Sequence, residues 1–348
     1  MDELELLQNM VSIYSPTNEE KDLAEFLVQT MEESGFQSQI DDVGNVIGVM
    51  GEGPEEILLV GHLDTVQGEI SVRIEDGTLF GRGSVDAKSS LAAMICAASS
   101  LGKISGKRVV VIGVVDEEGG SRGARNLLAR YNPKCVIVGE PSGWDSVAIG
   151  YKGCLKFRFR TSDVNKHIGT TDTNPAEKGM EFWNELSDYC SSQLGGSAFD
   201  SLTPRLVSFN TKNDGIRTEM EMRVDVRVPP TMDIEEVKTS IEQIARDGEL
   251  DWESEEAPKV SSKNSHLTRA FISAIREEGG SPSYKKKLGT SDMNVLGNHW
   301  DVPIVAYGPG DSRLDHTPDE RLSLDEYFAS IRVLRRVLTN LVEREKLD

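Results

Sequence analysis

The run Ile57-Leu58-Leu59-Val60-Gly61-His62-Leu63-Asp64 sets four consecutive apolar side chains one glycine ahead of a histidine, with an aspartate two residues further on. Unbroken apolar runs of this length do not alternate between two faces, so they read as strands covered on both sides, as in a parallel sheet. Two further runs share the pattern. Val109–Val115 leads into Asp116-Glu117-Glu118-Gly119-Gly120, and Cys135–Val138 leads into Gly139-Glu140-Pro141.

Working outward, a helix is expected at about Glu20–Ser34 after the Ser15-Pro16-Thr17-Asn18 turn, followed by a strand at Val46–Met50. Met1–Val11 reads as an amphipathic helix. Ala87–Leu101 is small and apolar all round, which suits a buried helix, and Arg122–Tyr131 reads as the helix between two strands. From about His266 the same style returns, with a helix, the strand Val302–Tyr307 and the long helix Ser323–Lys346. Alternating strands and helices imply an α/β domain: a mixed sheet with helices on both faces.

The middle of the chain has another character. Cys154–Thr161, Arg205–Thr211, Glu219–Val228 and Glu249–Glu253 read as strands, with helices at Pro175–Leu194 and Asp233–Arg246. Met220, Met222, Val224 and Val226 alternate with charged residues, as on a sheet with one buried face. The order β-α-β-β-α-β is that of a ferredoxin-like α+β module. The expected organisation is therefore an α/β domain in two parts, 1–153 and 264–348, with a small module inserted at 154–263.

Ligands of active sites in open α/β sheets gather beyond the carboxyl ends of the strands. His62, Asp64, Glu117, Glu118 and Glu140 all stand there. So do Asp311 and His316, after Val302–Tyr307, and Asp86 in Gly83-Ser84-Val85-Asp86-Ala87-Lys88 begins a buried helix. Each alone has a plain explanation: Asp86 a helix N-cap, Glu117-Glu118 a solvated pair, His62 a core histidine. Together they suit a site for two zinc ions, with cobalt an alternative. A shared site needs a bridging carboxylate, and each ion needs imidazole or carboxylate ligands with one position left open. His62 and Glu140 would hold one ion, Glu118 and His316 the other, with Asp86 between them. Asp64 is placed to accept the second N–H of His62. Glu117 is left free as the general base that takes a proton from attacking water and passes it to the leaving amine.

Composition narrows the partners. The 348 residues carry a formal net charge of −20, with 38 % hydrophobic and 28 % charged residues. Nucleic acid is therefore not an expected ligand. No apolar run is long enough to span a bilayer, and the acidic start does not resemble a signal peptide. Cys96, Cys135, Cys154 and Cys190 form no paired motif and read as reduced thiols of a cytoplasmic protein. Lys285–Lys287 is a basic triplet in an acidic chain, either a solvated strand edge or a docking patch.

At these residues the sequence resembles the zinc-dependent M20 peptidases and deacylases over nearly its whole length. That family includes acetylornithine deacetylase, succinyl-diaminopimelate desuccinylase and aminoacylases. The roles of His62, Asp64, Asp86, Glu117, Glu118, Glu140 and His316 match its motif positions. The resemblance implies a lid through which members often dimerise. His167, otherwise a loop histidine, matches the lid histidine that reaches the neighbouring subunit's site to stabilise the oxyanion. Leu288-Gly289-Thr290-Ser291-Asp292-Met293-Asn294, and Tyr307 to Ser312 followed by Leu314-Asp315-His316-Thr317-Pro318, resemble one subgroup. Its members free lysine or ornithine from the γ-carboxyl of an amino-group carrier protein's terminal glutamate. Gly289, Thr290 and Ser291 would then contact the substrate carboxylate, although Ser291 also suits a helix N-cap. Where the family carries an Asn-Val-Ile-Pro-like stretch, this chain has Gly215-Ile216-Arg217-Thr218-Glu219-Met220, which leaves Arg217 as a substitute anion binder. Lys285–Lys287, Arg217 and Arg205 would form a basic rim for an acidic carrier. Deacylation of N-acetylornithine or N-succinyl-diaminopimelate, dipeptide cleavage and a non-catalytic metal-binding role are the competing readings.

Overall fold

A computed structural model describes residues 2–167, 169 and 172–344. Lys346, the expected end of the last helix, lies outside the described residues, as does Met1 at the start of the first. The chain divides into two compact units: Met1–Gly150 with Ser261–Lys286 and Ser291–Asp348, and Tyr151–Val260 with Lys287–Thr290.

The first unit is built on the stretch Val46–His62, which folds back on itself. Val46 to Gly51 step down against Gly113 to Arg108, whereas Ile57 to His62 step up against Val109 to Val114. One arm is thus antiparallel and the other parallel to the strand Ser105–Val114, which lies between them. Gln37–Ile40 extends the antiparallel arm. Cys135–Val138 and Ile304–Ala306 continue the parallel side, and Ser146–Tyr151 closes it antiparallel. Ser283–Lys287 pairs with that last strand. Two strands expected separately, Val46–Met50 and Ile57–Val60, therefore flank a common neighbour.

Ile57–Val60, Cys135–Val138 and Ile304–Ala306 are buried along their whole length, which requires cover on both faces. Lys88–Ser99 supplies much of it, and every residue from Lys88 to Ala98 is buried. Small side chains let this helix approach closely. A Cβ on Gly61 would lie 3.1 Å from the Leu91 Cβ, and one on Gly308 would lie 1.9 Å from the Ser90 Oγ. Leu324–Glu343, His266–Glu277 and Glu3–Ser12 pack around this helix, directly or through one another. Arg122–Leu127 is shorter than its pattern predicts and runs on into a turn in which Arg130 and Tyr131 N–H donate to the Leu127 carbonyl. The sequence reading missed Ser146–Tyr151 and a small three-stranded sheet of Arg73–Glu75, Thr78–Phe80 and Arg321–Ser323.

The second unit is a four-stranded antiparallel sheet in the order Glu249–Glu256, Gly153–Val164, Arg217–Val228, Thr203–Asn213. Numbered along the chain this is 4-1-3-2, the ferredoxin-like arrangement. Pro175–Ser192 begins at a capping box between Asn174 and Glu177 and packs Phe182 flat on Phe159, with ring centroids 4.0 Å apart. Val237 and Ile241 of the helix Ile234–Ile244 join Phe157, Met222, Val224 and Val226 in the same core. At the root of the insertion, Ser261 N–H donates to the Ile149 carbonyl at 2.8 Å.

Leu59 is fully buried at the centre of the larger core. Leu59→Ala should cost about 2–5 kcal/mol of stability, read as a lower urea midpoint for the first unit's unfolding transition, with the far-ultraviolet spectrum of the folded protein unchanged.

Candidate metal centre and active site

His62 ends the parallel arm and is 1 % exposed. Its Nδ1 donates to the Asp64 main-chain carbonyl at 2.8 Å, while Nε2 meets Asp86 Oδ1 at 3.2 Å. On the other side of the same carboxylate, His316 Nε2 lies 3.1 Å from Asp86 Oδ2 and 2.9 Å from Glu118 Oε1. Asp86 thus sits between two imidazoles, one per oxygen. It is not the N-cap of the following helix; Ala87 holds that position, without a side-chain cap. His316 occupies the left-handed region at φ 60°, a conformation that costs a non-glycine residue about 1–3 kcal/mol.

Asp64 works differently from the expectation. The imidazole bond goes to its main-chain oxygen, and its Oδ1 is 3.6 Å from Nδ1. Its carboxylate instead accepts the N–H groups of Glu117 and Glu118, each at 3.0 Å, and the Thr17 hydroxyl at 2.9 Å. A fully buried carboxylate therefore fixes the main chain of the Glu-Glu turn and orients the two glutamates.

The electrostatics show how strongly this cluster calls for positive charge. Burial alone would lower the His62 pKa, yet the Asp64 and Asp86 carboxylates beside it and the charge of Glu117 hold it well above normal. Hydrogen bonds to Asp86 and Glu118 raise His316 to about 10. Burial also pushes Asp86 upward, but the two histidines outweigh it and hold the carboxyl below its usual range. Glu117 moves the other way: burial, and then the charge of Glu140, drive its pKa well above that of an ordinary glutamate. Burial similarly raises Glu118.

The donor set fits divalent cations. Ligand atoms of Asp86, Glu118 and His316 lie within 4.8 Å of one another, and His62 adds a nitrogen on the far side of Asp86. The two Nε2 atoms, each directed at a carboxylate oxygen, are where neutral imidazoles would bind cations. Glu140, buried after Cys135–Val138, acts on the same cluster through its charge on Glu117.

The other expected residues have the following local surroundings. Ser291 is the N-cap of Asp292–His299, with a reciprocal bond to Asn294. Asp292, just after it, is 2 % exposed, and burial raises its pKa to about 7. Gly289 and Thr290 belong to the second unit, where Arg227 Nη1 donates to Thr290 Oγ1 at 3.3 Å. Arg217 stands at the opposite end of that arginine's strand, 3.4 Å from the Ser162 Oγ. His167 is exposed after Gly153–Val164, its Nδ1 accepting from Gly169 N–H at 3.1 Å. Lys285 Nζ donates to the Ser142 carbonyl at 2.6 Å.

The sequence pattern of peptidase family M20/M25/M40 matches residues 58–340. The chain belongs to this family. It is a metal-dependent hydrolase of amide bonds, and its relatives are alike nearly end to end. It is 41 % identical to the LysW-lysine hydrolase of Deinococcus radiodurans, covering 97 % of this chain and 96 % of that one. It is 45 % identical to a putative LysW-lysine/LysW-ornithine hydrolase of Pyrococcus abyssi, covering 98 % and 94 %. The fold matches the crystal structure of an M20 family metallo-carboxypeptidase from Sulfolobus solfataricus with a TM-score of 0.79 at 19 % identity, over 97 % of this chain and 99 % of the other.

Zinc at about 100 times its dissociation constant should stabilise the protein by about 2.7 kcal/mol, seen as a raised melting temperature that a chelator reverses. Asp86→Asn should abolish most of this shift and most of the zinc binding measured by calorimetry.

Proposed function

We propose that this chain releases lysine, ornithine or both from the γ-glutamyl end of an amino-group carrier protein, within lysine or arginine biosynthesis, using two zinc ions or cobalt in their place. The supporting observation is end-to-end likeness to hydrolases named for LysW-bound lysine and ornithine, at 41 % and 45 % identity. On this reading His62 and Glu140 hold one ion, Glu118 and His316 the other, and Asp86 serves both.

Bound cations would polarise the amide carbonyl and make water acidic enough to attack near neutral pH. Everything else falls to side chains of this chain. Glu117 takes the proton of the attacking water. The burial and neighbouring charge that raise its pKa also let it hold that proton long enough to deliver it to the departing α-amino group. Asp64 keeps Glu117 and Glu118 in place through their main-chain N–H groups. Gly289, Thr290 and Ser291 are our candidates for the substrate carboxylate, with Arg217 as an anion-binding group.

We take the first unit as the catalytic domain and the second as its lid. The partner we infer is a small acidic carrier, met by Lys285–Lys287, Arg205 and Arg217. The assembly we infer is a homodimer joined through the lid, with His167 offered to the neighbour's site. Its edge strand Thr203–Asn213 supports this, with Val207 56 % exposed and Leu206 and Phe209 each 37 % exposed. We place the protein in the cytoplasm. Its four cysteines are buried thiols that form no disulfide among the described residues, and no described helix is long and apolar enough to cross a membrane.

Offered carrier-linked γ-glutamyl-lysine, its ornithine counterpart and N-acetylornithine, the zinc-loaded enzyme should free amino acid from the carrier-linked forms, detected by mass spectrometry. Release from N-acetylornithine alone would refute the carrier assignment. Glu117→Gln should lower kcat about 10²–10⁴-fold while zinc binding by calorimetry stays near that of the native protein. Full-rate turnover by this variant would remove Glu117 as the base.

A further inference from the structure

Glu320 has no part in the chemistry above, yet it is 1 % exposed, a deeply buried carboxylate. All of its acceptor capacity is directed at one short turn. Oε2 accepts from Arg82 Nη1 at 2.7 Å. Oε1 accepts two main-chain N–H groups, those of Val85 at 2.9 Å and Asp86 at 3.0 Å. Arg82 in turn donates through Nε to the Gly68 carbonyl at 3.0 Å, and the Glu320 carbonyl receives Gly81 N–H at 3.4 Å. The segment from Gly81 to Asp86 is thus held at both ends by a single residue. Four positions earlier in the chain, His316 meets the Asp86 carboxylate at 3.1 Å. The stretch His316-Thr317-Pro318-Asp319-Glu320 therefore grips Asp86 twice, once at its side chain and once at its main chain.

We propose that Glu320, braced by Arg82, is a positioning residue that sets the main chain of Asp86 so that its two carboxylate oxygens face His62 and His316. The proposal rests on the reading of Asp86 as the group shared by the metals. A carboxylate is required by donor arithmetic. Oε1 must serve two N–H groups and Oε2 a guanidinium, all of them donors. Glutamine has one acceptor oxygen. Turned toward the main chain, its NH₂ group faces Arg82, donor against donor. Turned toward Arg82, it leaves the N–H groups of Val85 and Asp86 buried beside another donor. Either way the turn that carries Asp86 must shift.

A plainer role is possible for the same ion pair: fastening Arg321–Ser323 to its small sheet, with no bearing on the metals. The two roles separate in metal binding. Zinc is titrated calorimetrically into metal-free protein, and the absorption spectrum of the cobalt(II)-loaded protein is recorded alongside. Glu320→Gln is expected to weaken zinc binding about 10–100-fold and to change the cobalt ligand-field bands. Leu322→Ala empties a fully buried position of that sheet; it should lower the melting temperature and leave both metal readouts as in the native protein. If Glu320→Gln does not fold, Arg82→Lys keeps the charge but loses the two-ended guanidinium bridge, and should show a smaller change in the same direction.

Native affinity and an unaltered cobalt spectrum in Glu320→Gln, or in Arg82→Lys where that variant substitutes, would overturn the proposal. Equal losses in Leu322→Ala would also overturn it, by tracing the effect to stability. Asp86→Asn tells the two readings apart. If it binds zinc like the native protein, the reading of Asp86 has failed. If it loses binding while Glu320→Gln does not, only the positioning role is lost.

Discussion

Negative charge gathered in a partly buried cluster is the constraint around which the first unit is arranged. Asp64, Asp86, Glu117, Glu118 and Glu140 converge on two imidazoles, and carboxylates so close together repel unless cations or protons intervene. The fold bears that repulsion because rigid elements hold each group. Strand ends carry His62 and Glu140, an all-round buried helix follows Asp86, and a clamped turn carries the two glutamates. Relieving the repulsion by spreading the groups apart would break the packing behind them. A bound cation would relieve it without moving the groups, so the charge gathered here and the fit to divalent cations share a cause.

The same arrangement divides labour among chemically identical side chains. Asp64 and Glu117 are both carboxylates at the cluster, yet their pKa values move in opposite directions. Although burial opposes it, Asp64 stays ionised through the His62 imidazole, the Thr17 hydroxyl and the N–H groups of the turn. Glu117 meets burial and further negative charge, so it is receptive to a proton. Environment thus leaves one ionised to hold a loop and favours the protonated form of the other.

Much of this was legible in the sequence because two signals coincide. Apolar runs without alternation mark the covered strands, and the metal-type side chains stand directly after them. His62, Glu118 and Glu140 could therefore be gathered with no knowledge of distance. Asp86 and His316 were found by residue type and then brought to one carboxylate–imidazole cluster. Glu320 left no comparable mark. It lies in a short acidic loop, and its partners are main-chain N–H groups more than two hundred positions away, which have no signature in residue identity. The bond from His62 to the Asp64 carbonyl has a main-chain partner too, whereas Arg227 and Thr290 meet side chain to side chain across sixty-three positions that no local pattern links. Arg217 drew notice by its place in an altered motif, but a strand of twelve residues separates that end from the one that meets Thr290.

The insertion has a consequence for how freely the chain can vary in length. The chain leaves the first unit after Gly150 and re-enters at Ser261, where one hydrogen bond joins Ser261 to Ile149. To the host sheet, everything in between has the geometry of a hairpin tip. Closing a loop there adds only a logarithmic entropy term as the insert lengthens. Modules of very different size could thus be traded at this doorway while the strands that carry His62 and Glu140 kept their register. What hangs from the doorway can therefore change in length at little cost to the sheet that holds the carboxylate–imidazole cluster.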